Sequence, residues 1–209
     1  MTGTDRVGSV VRDLYTSYPR PILWLIPGGT VRSAGSAAAV EVEPFYLSKT
    51  PVTNEQFEAF DPGFERSAEA PGDRDPAIGL SWEDAAEYCA WWAEVTRKPI
   101  RMPTEAEWEH ACRGGDDRPV PWDDPAGADE HLWDRESSGG RLGPLEAKRA
   151  NGFGLYGMLG GVWEWTAGGA LRGGSWRTPR AEISAGARRE APRDVPVADA
   201  GLRIAKSLR

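Results

Sequence analysis

The stretch Arg101-Met102-Pro103-Thr104-Glu105-Ala106-Glu107-Trp108-Glu109 contains a complete signal for the start of a helix. Pro103 restricts the backbone before Thr104 to extended conformations. The Thr104 hydroxyl can accept from the third helical amide, while the Glu107 carboxylate accepts from the first, which is a capping box. The stretch therefore predicts a helix that begins at Glu105 and places Trp108 on its apolar face.

The same device occurs twice more, at residues 53–56 and 81–84, and predicts two further helices. Apolar runs at residues 22–26 and 40–47 predict strands, and we expect the first of these to be buried. After residue 151, short apolar strings separated by glycine predict more short strands and tight turns. With 25 glycines and 17 prolines among 209 residues, the chain favours irregular loops over a helical bundle, so we predict an α+β fold.

Composition excludes several classes of protein. No run of 18 apolar residues is long enough to span a membrane, and the start lacks the pattern of a signal peptide, so we expect a cytoplasmic protein. Two cysteines cannot form a disulfide framework. A net charge of −7 disfavours nonspecific binding to nucleic acid, although basic residues are frequent after residue 171.

The chain length suits one large domain. Residues 1–21 carry apolar residues at near-helical spacing and end in Pro19 and Pro21, so we predict a helical N-terminal extension there. Residues 22–209 then form the main domain.

Taken in order, nine strings of the sequence resemble the formylglycine-generating-enzyme (sulfatase-modifying factor) superfamily. The strings run from Trp24 to Ala205 and include Ile26-Pro27-Gly28-Gly29, Pro51-Val52-Thr53-Asn54, Leu80-Ser81-Trp82-Glu83, the Arg101–Glu109 stretch, Asn151-Gly152-Phe153-Gly154, Val162-Trp163-Glu164-Trp165, Arg172-Gly173-Gly174-Ser175-Trp176 and Gly201-Leu202-Arg203. The resemblance implies a C-type-lectin-like fold. Its members include oxidases, iron-dependent sulfoxide synthases, inactive paralogues and the variable proteins of diversity-generating retroelements, so fold does not fix function.

The resemblance also implies where oxidase chemistry would take place. Oxidase members bind copper(I) through two cysteines after the Gly-Gly-Ser string, because a soft ion prefers thiolates. Thr178 and Ile183 stand at those positions here, whereas Ser175 matches the family's active-site serine. Cys89 and Cys112 fall on apolar helix positions, where we expect small buried side chains. We therefore predict that this oxidase activity is absent.

Two metal sites of the superfamily can be checked against this sequence. Iron-dependent members use three histidines, but the chain has only His110, expected on a helix surface, and His131, expected in a loop. A calcium site of the family corresponds to the carbonyls of Gly160 and Val162 and the carboxylate of Glu164. Gly157 stands where that site uses a side chain. We expect no resident cofactor and leave calcium open, the alternative for Glu164 being a buried pair with Arg172 or Arg203.

Most of the tryptophans are expected in the core, because indoles bury a large area. These are Trp82, Trp91, Trp92, Trp108, Trp163 and Trp165. We expect Trp122 and Trp176 at a surface groove instead, since Trp176 lies beside arginine and could grip planar or cationic groups.

Three functions remain open from the sequence. The first is a non-catalytic module that binds a protein, peptide or small molecule through residues 173–201, a segment that retroelement variable proteins diversify. Its candidate binding residues are Ser175, Trp176, Arg177, Thr178, Arg180, Glu182, Arg188 and Arg189. The second is an enzyme that uses Ser175 with carboxylates such as Asp194, Asp199, Glu182 or Glu190. The third is a subunit of a larger complex, docked through the N-terminal extension.

Overall fold

The computed structural model describes residues 19–32 and 38–208. Ten short strands, three α-helices and three 3₁₀ turns are joined by long ordered loops in this part of the chain. The predicted α+β class, with short strands, few helices and much irregular loop, is confirmed. Most of the predicted N-terminal extension lies outside the described residues.

The first sheet brings the two ends of the domain together. Its strands are β1 (Leu23–Ile26), β4 (Phe45–Ser48), β5 (Ile100–Arg101) and β10 (Ala205–Ser207), in the order β1-β4-β10-β5, and every pair is antiparallel. Between β1 and β4, strands β2 (Gly29–Val31) and β3 (Val40–Val42) form a separate antiparallel hairpin.

The second large sheet carries the region of interest. Its strands are β6 (Trp163–Trp165), β7 (Ala170–Arg172), β8 (Arg188–Glu190) and β9 (Ala200–Leu202), in the order β8-β7-β6-β9. Strands β6 and β9 are parallel, and the other pairs are antiparallel. The chain between β7 and β9 therefore leaves the sheet, returns as an edge strand and crosses back over the sheet.

The three predicted helices are present as α1 (Asn54–Glu58), α2 (Trp82–Thr96) and α3 (Glu105–Arg113). The capping box of α3 forms as predicted. Thr104 Oγ1 accepts from the Glu107 amide at 3.2 Å, and Glu107 accepts from the Thr104 amide at 2.8 Å. Gly114 ends this helix with φ of 59°, a left-handed conformation that glycine adopts without a steric penalty.

Two strand predictions need correction. The run at residues 22–26 is not a buried strand, because β1 lies at a sheet edge and exposes Trp24 and Leu25. The run at residues 40–47 is two strands, β3 and β4, with Glu43 and Pro44 between them. Proline has no N–H to donate to a ladder, so pairing stops at that point.

A buried polar network joins α3 to the second sheet. Trp108 is fully buried, and its Nε1 donates to Glu164 Oε2 at 2.7 Å. Arg203 Nε donates to both Glu164 oxygens, at 2.9 and 3.0 Å. Arg172 donates to Glu109 Oε2 at 2.7 Å. The network connects the middle of β6 and the end of β7 to α3, and the Ser175 loop departs from the end of β7.

The tryptophans expected in the core lie there. Trp92, Trp108, Trp163 and Trp165 are buried, and Trp82 and Trp91 pack against the same core from partly buried positions. None of the helices in the described residues is long and apolar enough to cross a membrane.

Candidate functional site

The loop after β7 places Ser175 beneath the surface of the protein. Gly173 and Gly174 have φ of 96° and 84°, a conformation that L side chains rarely adopt. A Cβ on Gly173 would lie 2.7 Å from the Met158 carbonyl oxygen and 2.9 Å from the Trp108 ring. Only glycine therefore permits this turn.

Ser175 is held by a hydrogen-bond network rather than presented to solvent. Its fully buried side chain donates to Asp199 Oδ2 at 2.6 Å and accepts from the Arg177 amide at 3.2 Å. The Ser175 amide donates to Thr178 Oγ1 at 3.0 Å. The hydroxyl thus donates to a carboxylate, which is a weak base. Its other hydrogen-bond partners in the described residues are the Thr178 hydroxyl and the Arg177 amide, so neither is a histidine or a lysine of the kind that activates a serine nucleophile.

The two positions implied for the oxidase cysteines are occupied by structural side chains. Thr178 is buried, and its hydroxyl closes the loop onto Ser175. Ile183 is also buried and packs against Gly174, where an added Cβ would approach Ile183 Cγ1 to 2.8 Å. An apolar side chain therefore fills the space at the second position.

Neither cysteine of the chain can take over the missing role. Cys89 and Cys112 are buried on α2 and α3, as predicted. Burial raises the pKa of Cys89 to about 12 and also raises the pKa of Cys112 well above its usual range. Both lie in the interior and outside the loop that follows Ser175, so neither stands at a position that the resemblance implies for the oxidase cysteines.

Glu164 is a buried partner of Arg203, one of the two arginines considered from the sequence. Burial raises the pKa of its carboxyl, while Arg203 and Trp108 act in the opposite direction. Both oxygens accept from these two side chains. Calcium prefers carboxylate oxygens that are free to coordinate it, so Glu164 does not fit the ion well. The predicted site at Gly160, Val162 and Glu164 would require displacement of the Arg203 guanidinium.

The two histidines lie apart and have different surroundings. His110 was expected on the surface of its helix, but it is buried, and its Nε2 lies 2.8 Å from the Pro27 carbonyl oxygen. His131 follows a 3₁₀ turn and lies near Trp122. Within residues 19–32 and 38–208, no three His, Cys, Asp or Glu side chains are grouped so that they could hold a metal ion.

A surface cleft of about 520 Å³ lies next to the buried Ser175–Asp199 pair. Arg177 and Arg189 line it with polar groups. Residues 195–198, which begin with Val195, line it with apolar groups. Asp199 also lines it. Glu190 lines it as well, so the cleft combines two cations, two carboxylates and an apolar wall, a mixture of polar and apolar groups that is common in binding sites.

Arg189 is the least engaged of the cations in this cleft. Its side chain is 44% exposed, and its one ion pair within the described part of the chain, with Asp199 Oδ1, is long at 3.4 Å. Arg177 is paired more closely with Glu69, at 2.8 Å, and lies 4.9 Å from the centre of the Trp176 ring. Arg189 is consequently the guanidinium most available to a ligand.

The predicted binding residues fall into three groups. Ser175, Trp176 and Thr178 are buried. Arg180 binds Asp129 and Asp134 and so connects the loops on either side, whereas Arg188 is exposed on β8 and binds Glu105 of α3 and Glu190 of its own strand. Arg177, Glu182 and Arg189 are exposed. The segment of residues 173–201 therefore contains both buried side chains that support the cleft and exposed side chains that line it.

The expectation of Trp176 at a surface groove is wrong. Its ring is 1% exposed and packs among apolar residues from distant segments, including Ala70, Ile78 and Val162. Its Nε1 is buried without a hydrogen-bond partner in the described residues. Trp122 is partly buried and packs against the core around Trp108.

The family of the chain follows from its sequence as a whole. The model of the sulfatase-modifying factor enzyme 1-like domain matches residues 14–208. The chain belongs to this family. Over 105 residues it is 40% identical to the formylglycine-generating enzyme of Mus musculus, an alignment that covers 44% of this chain and 27% of that protein. The chain thus spans about a quarter of the length of that relative.

Two further comparisons concern a relative named as inactive and a solved structure. Over 121 residues the chain is 38% identical to the inactive C-alpha-formylglycine-generating enzyme 2 of Mus musculus, covering 48% of this chain and 37% of that protein. In structure, it resembles Treponema denticola variable protein 1 with a TM-score of 0.78 and 19% identity, covering 88% of this chain and 94% of that one. The second likeness shows the fold alone.

Proposed function

We propose that this sulfatase-modifying factor-like protein is a non-catalytic module that binds a protein or peptide through the cleft beside Ser175 and Asp199. The observation that carries the proposal is Ile183, a buried aliphatic side chain at a position where oxidase members have a cysteine. Without a thiolate pair, copper(I) has no ligand set of its preferred chemistry at this position.

Two likenesses support this reading. The chain is about as similar to a relative named inactive as to one named as the active enzyme, so family membership does not bring the activity with it. A solved structure of the same fold is a variable protein. The sequence resemblance implies that residues 173–201 correspond to the segment that retroelement variable proteins diversify. Diversification of this segment is tested by searching the locus for a template repeat and a reverse-transcriptase gene.

The chemistry of the cleft favours a peptide with an acidic group beside an apolar one. Arg189 offers donors to a carboxylate, and Val195, 48% exposed, offers apolar area next to it. Charge-assisted hydrogen bonds from arginine to a carboxylate are stronger than neutral ones. Exposed arginines are also among the residues that most often dominate binding energy.

Selection of displayed linear peptides on the immobilised protein tests this function. Calorimetry then compares selected peptides on the wild type, Arg189→Gln and Val195→Asp. We expect each variant to weaken binding by about tenfold or more, because each removes a central contact. Arg149→Gln is the matched control, since Arg149 is exposed and ion-paired outside the cleft. Failure to enrich any peptide, or equal binding by all variants, would contradict the proposal.

A further inference from the structure

Three of the large apolar side chains exposed by the described residues lie together on one short segment. Ile22, Trp24 and Leu25 are 61%, 46% and 52% exposed. Strand β1 is at the edge of its sheet, because β4 is the one strand that pairs with it among residues 19–32 and 38–208. Residues 22–26 carry no charge. Proteins usually protect sheet edges with charge or with a covering segment, since an open apolar edge pairs readily with another strand.

The other large sheet shows such protection. Its edge strand β8 consists of Arg188, Arg189 and Glu190, all of them exposed and charged. Charged side chains on an edge strand oppose pairing with a second strand. Of these two edges, β1 is therefore the one without charged side chains that oppose a partner strand.

The hydrogen-bond pattern of β1 defines which main-chain groups point away from the sheet. The Ile22 carbonyl accepts from the Lys49 amide at 2.8 Å, and Leu23 lies opposite Ser48. Because hydrogen-bonded and non-hydrogen-bonded positions alternate in an antiparallel pair, Trp24 also faces β4. The N–H and C=O groups of Leu23 and Leu25 therefore face outward. Outside the β1–β4 pair, the described residues provide no main-chain partner for them.

We propose that β1 pairs antiparallel with β1 of a second copy of this chain, about a two-fold axis at Trp24. In this register Leu23 of each copy lies opposite Leu25 of the other, and their outward groups form two reciprocal pairs of hydrogen bonds. The two Trp24 residues face each other at a non-hydrogen-bonded position, where cross-strand side chains are closest.

The sequence around Trp24 is its own complement in this register. Pro21 and Pro27 each lie three residues from Trp24, so they come opposite each other at both ends of the pairing. Proline has no N–H, and the ladder therefore ends at the same point in both copies. The register opposes no like charges, because the residues between the prolines are all apolar.

Trp24 is already positioned for this contact. A Cβ on Gly154 would lie 3.3 Å from Trp24 Nε1, so the indole rests against Gly154 while much of the ring stays exposed. Pre-positioned aromatic side chains lose little conformational entropy on binding. Pairing through β1 would also use the open edge of both copies, which limits the assembly to a dimer.

The expected dimer is weak, because the paired strands are short. Stable interfaces commonly bury about 1,200–2,000 Å² in total, and smaller ones are transient. Sedimentation velocity of the full chain over a concentration series should therefore show a monomer–dimer equilibrium. A monomer at every concentration, or assemblies that grow beyond a dimer, would overturn the proposal.

A cysteine at the two-fold axis provides the sharpest test. Trp24→Cys places two thiols opposite each other at a separation that a disulfide accepts, so mild oxidation should yield a covalent dimer. Cys89 and Cys112 are buried and do not compete. Val195→Cys is the matched control, since Val195 is 48% exposed on the cleft of the other sheet, and it should stay monomeric. Equal cross-linking of both variants would overturn the register.

Charged substitutions test the same edge without a covalent trap. Trp24→Lys places two ammonium groups opposite each other and should raise the dimer dissociation constant by about tenfold or more, whereas Val195→Lys should leave it unchanged. Leu25→Lys provides a second variant on the strand should Trp24→Lys fold poorly, which circular dichroism would reveal. If Trp24→Lys or Leu25→Lys is folded by circular dichroism and still dimerises as tightly as the wild type, pairing through β1 is contradicted.

Discussion

Arg172 and Arg189 lie on neighbouring strands of one sheet and serve different purposes. Arg172 is buried and donates to Glu109 at 2.7 Å, within the polar network around Trp108. Arg189 is 44% exposed and has one ion pair, at 3.4 Å. The interior network pairs each of its charges with an opposite one, although Arg172 Nε is buried without a hydrogen-bond partner in the described residues. The cleft instead keeps a cation exposed. The comparison teaches that the partners of an arginine, rather than its place in the sheet, separate a side chain that supports the fold from one that stays exposed.

The largest expected effect lies in the interior. Arg203→Met leaves the Glu164 carboxylate buried without its cation, which should lower the free energy of unfolding by about 3–5 kcal/mol. Arg149→Met removes an exposed pair with Glu130 and should change it by about 0.5 kcal/mol or less. Urea denaturation of the two variants measures the contrast. Similar small losses would show that the network does not stabilise the fold.

After the interior network, substitution in the turn at Gly173 beneath the cleft should lower the stability of the fold the most. Gly173→Ala forces a Cβ against the Trp108 ring and the Met158 carbonyl, whereas Gly139→Ala meets nothing within 4 Å. Both glycines have positive φ, so both substitutions carry the backbone penalty of about 1–2 kcal/mol. Only Gly173→Ala adds a steric clash. Thermal unfolding should therefore separate the two, and equal melting temperatures would argue against a rigid turn.

Ser175→Ala should have a moderate effect on stability. It removes the 2.6 Å hydrogen bond to Asp199 and leaves that carboxylate with only the long contact from Arg189. Loss of a hydrogen bond to a buried charged group lowers the free energy of unfolding by about 1.5–3 kcal/mol. Chemical denaturation of Ser175→Ala measures this loss in the free energy of unfolding. A change below about 0.5 kcal/mol would mean that Ser175 is not part of the support of the cleft.

Arg189→Gln should leave stability unchanged within about 0.5 kcal/mol, because the side chain is exposed and weakly paired. The same variant should lose peptide binding in the calorimetric test. This separation of binding from stability is what distinguishes the cleft from the interior. A variant that unfolds easily would place Arg189 with the structural arginines instead.

Of the changes considered, the addition of calcium should have the smallest effect on the melting temperature. Because Arg203 and Trp108 already occupy both Glu164 oxygens, added calcium or EDTA should leave the melting temperature unchanged. A ligand that binds only the folded state raises stability by mass action. A rise in melting temperature with calcium, abolished by Glu164→Gln, would contradict this reading of Glu164.

Local signals in the sequence predicted local structure well. The capping boxes located α2 and α3, because each box involves residues three apart. The resemblance to a family supplied the fold, which periodicity alone could not name. It also identified Thr178 and Ile183 as the residues at the oxidase positions.

Contacts between distant segments could not be predicted in this way. Glu164 and Arg203 are 39 residues apart, so the sequence left Arg172 and Arg203 as alternative partners. The pocket that buries Trp176 is built from residues more than 90 positions earlier, such as Ala70 and Ile78, and the neighbouring arginines of Trp176 wrongly suggested a surface position. The apolar run of β1 likewise carried no information on its place at a sheet edge.

The central claim is that this family member lacks the thiolate chemistry of its oxidase relatives. The most direct test incubates the purified protein with copper(I), oxygen and a cysteine-containing sulfatase peptide, and follows the peptide by mass spectrometry. We predict that the cysteine stays unmodified, because Thr178 and Ile183 offer no thiolate. Conversion of that cysteine to an aldehyde, at a rate that depends on this protein and on copper, would contradict the account.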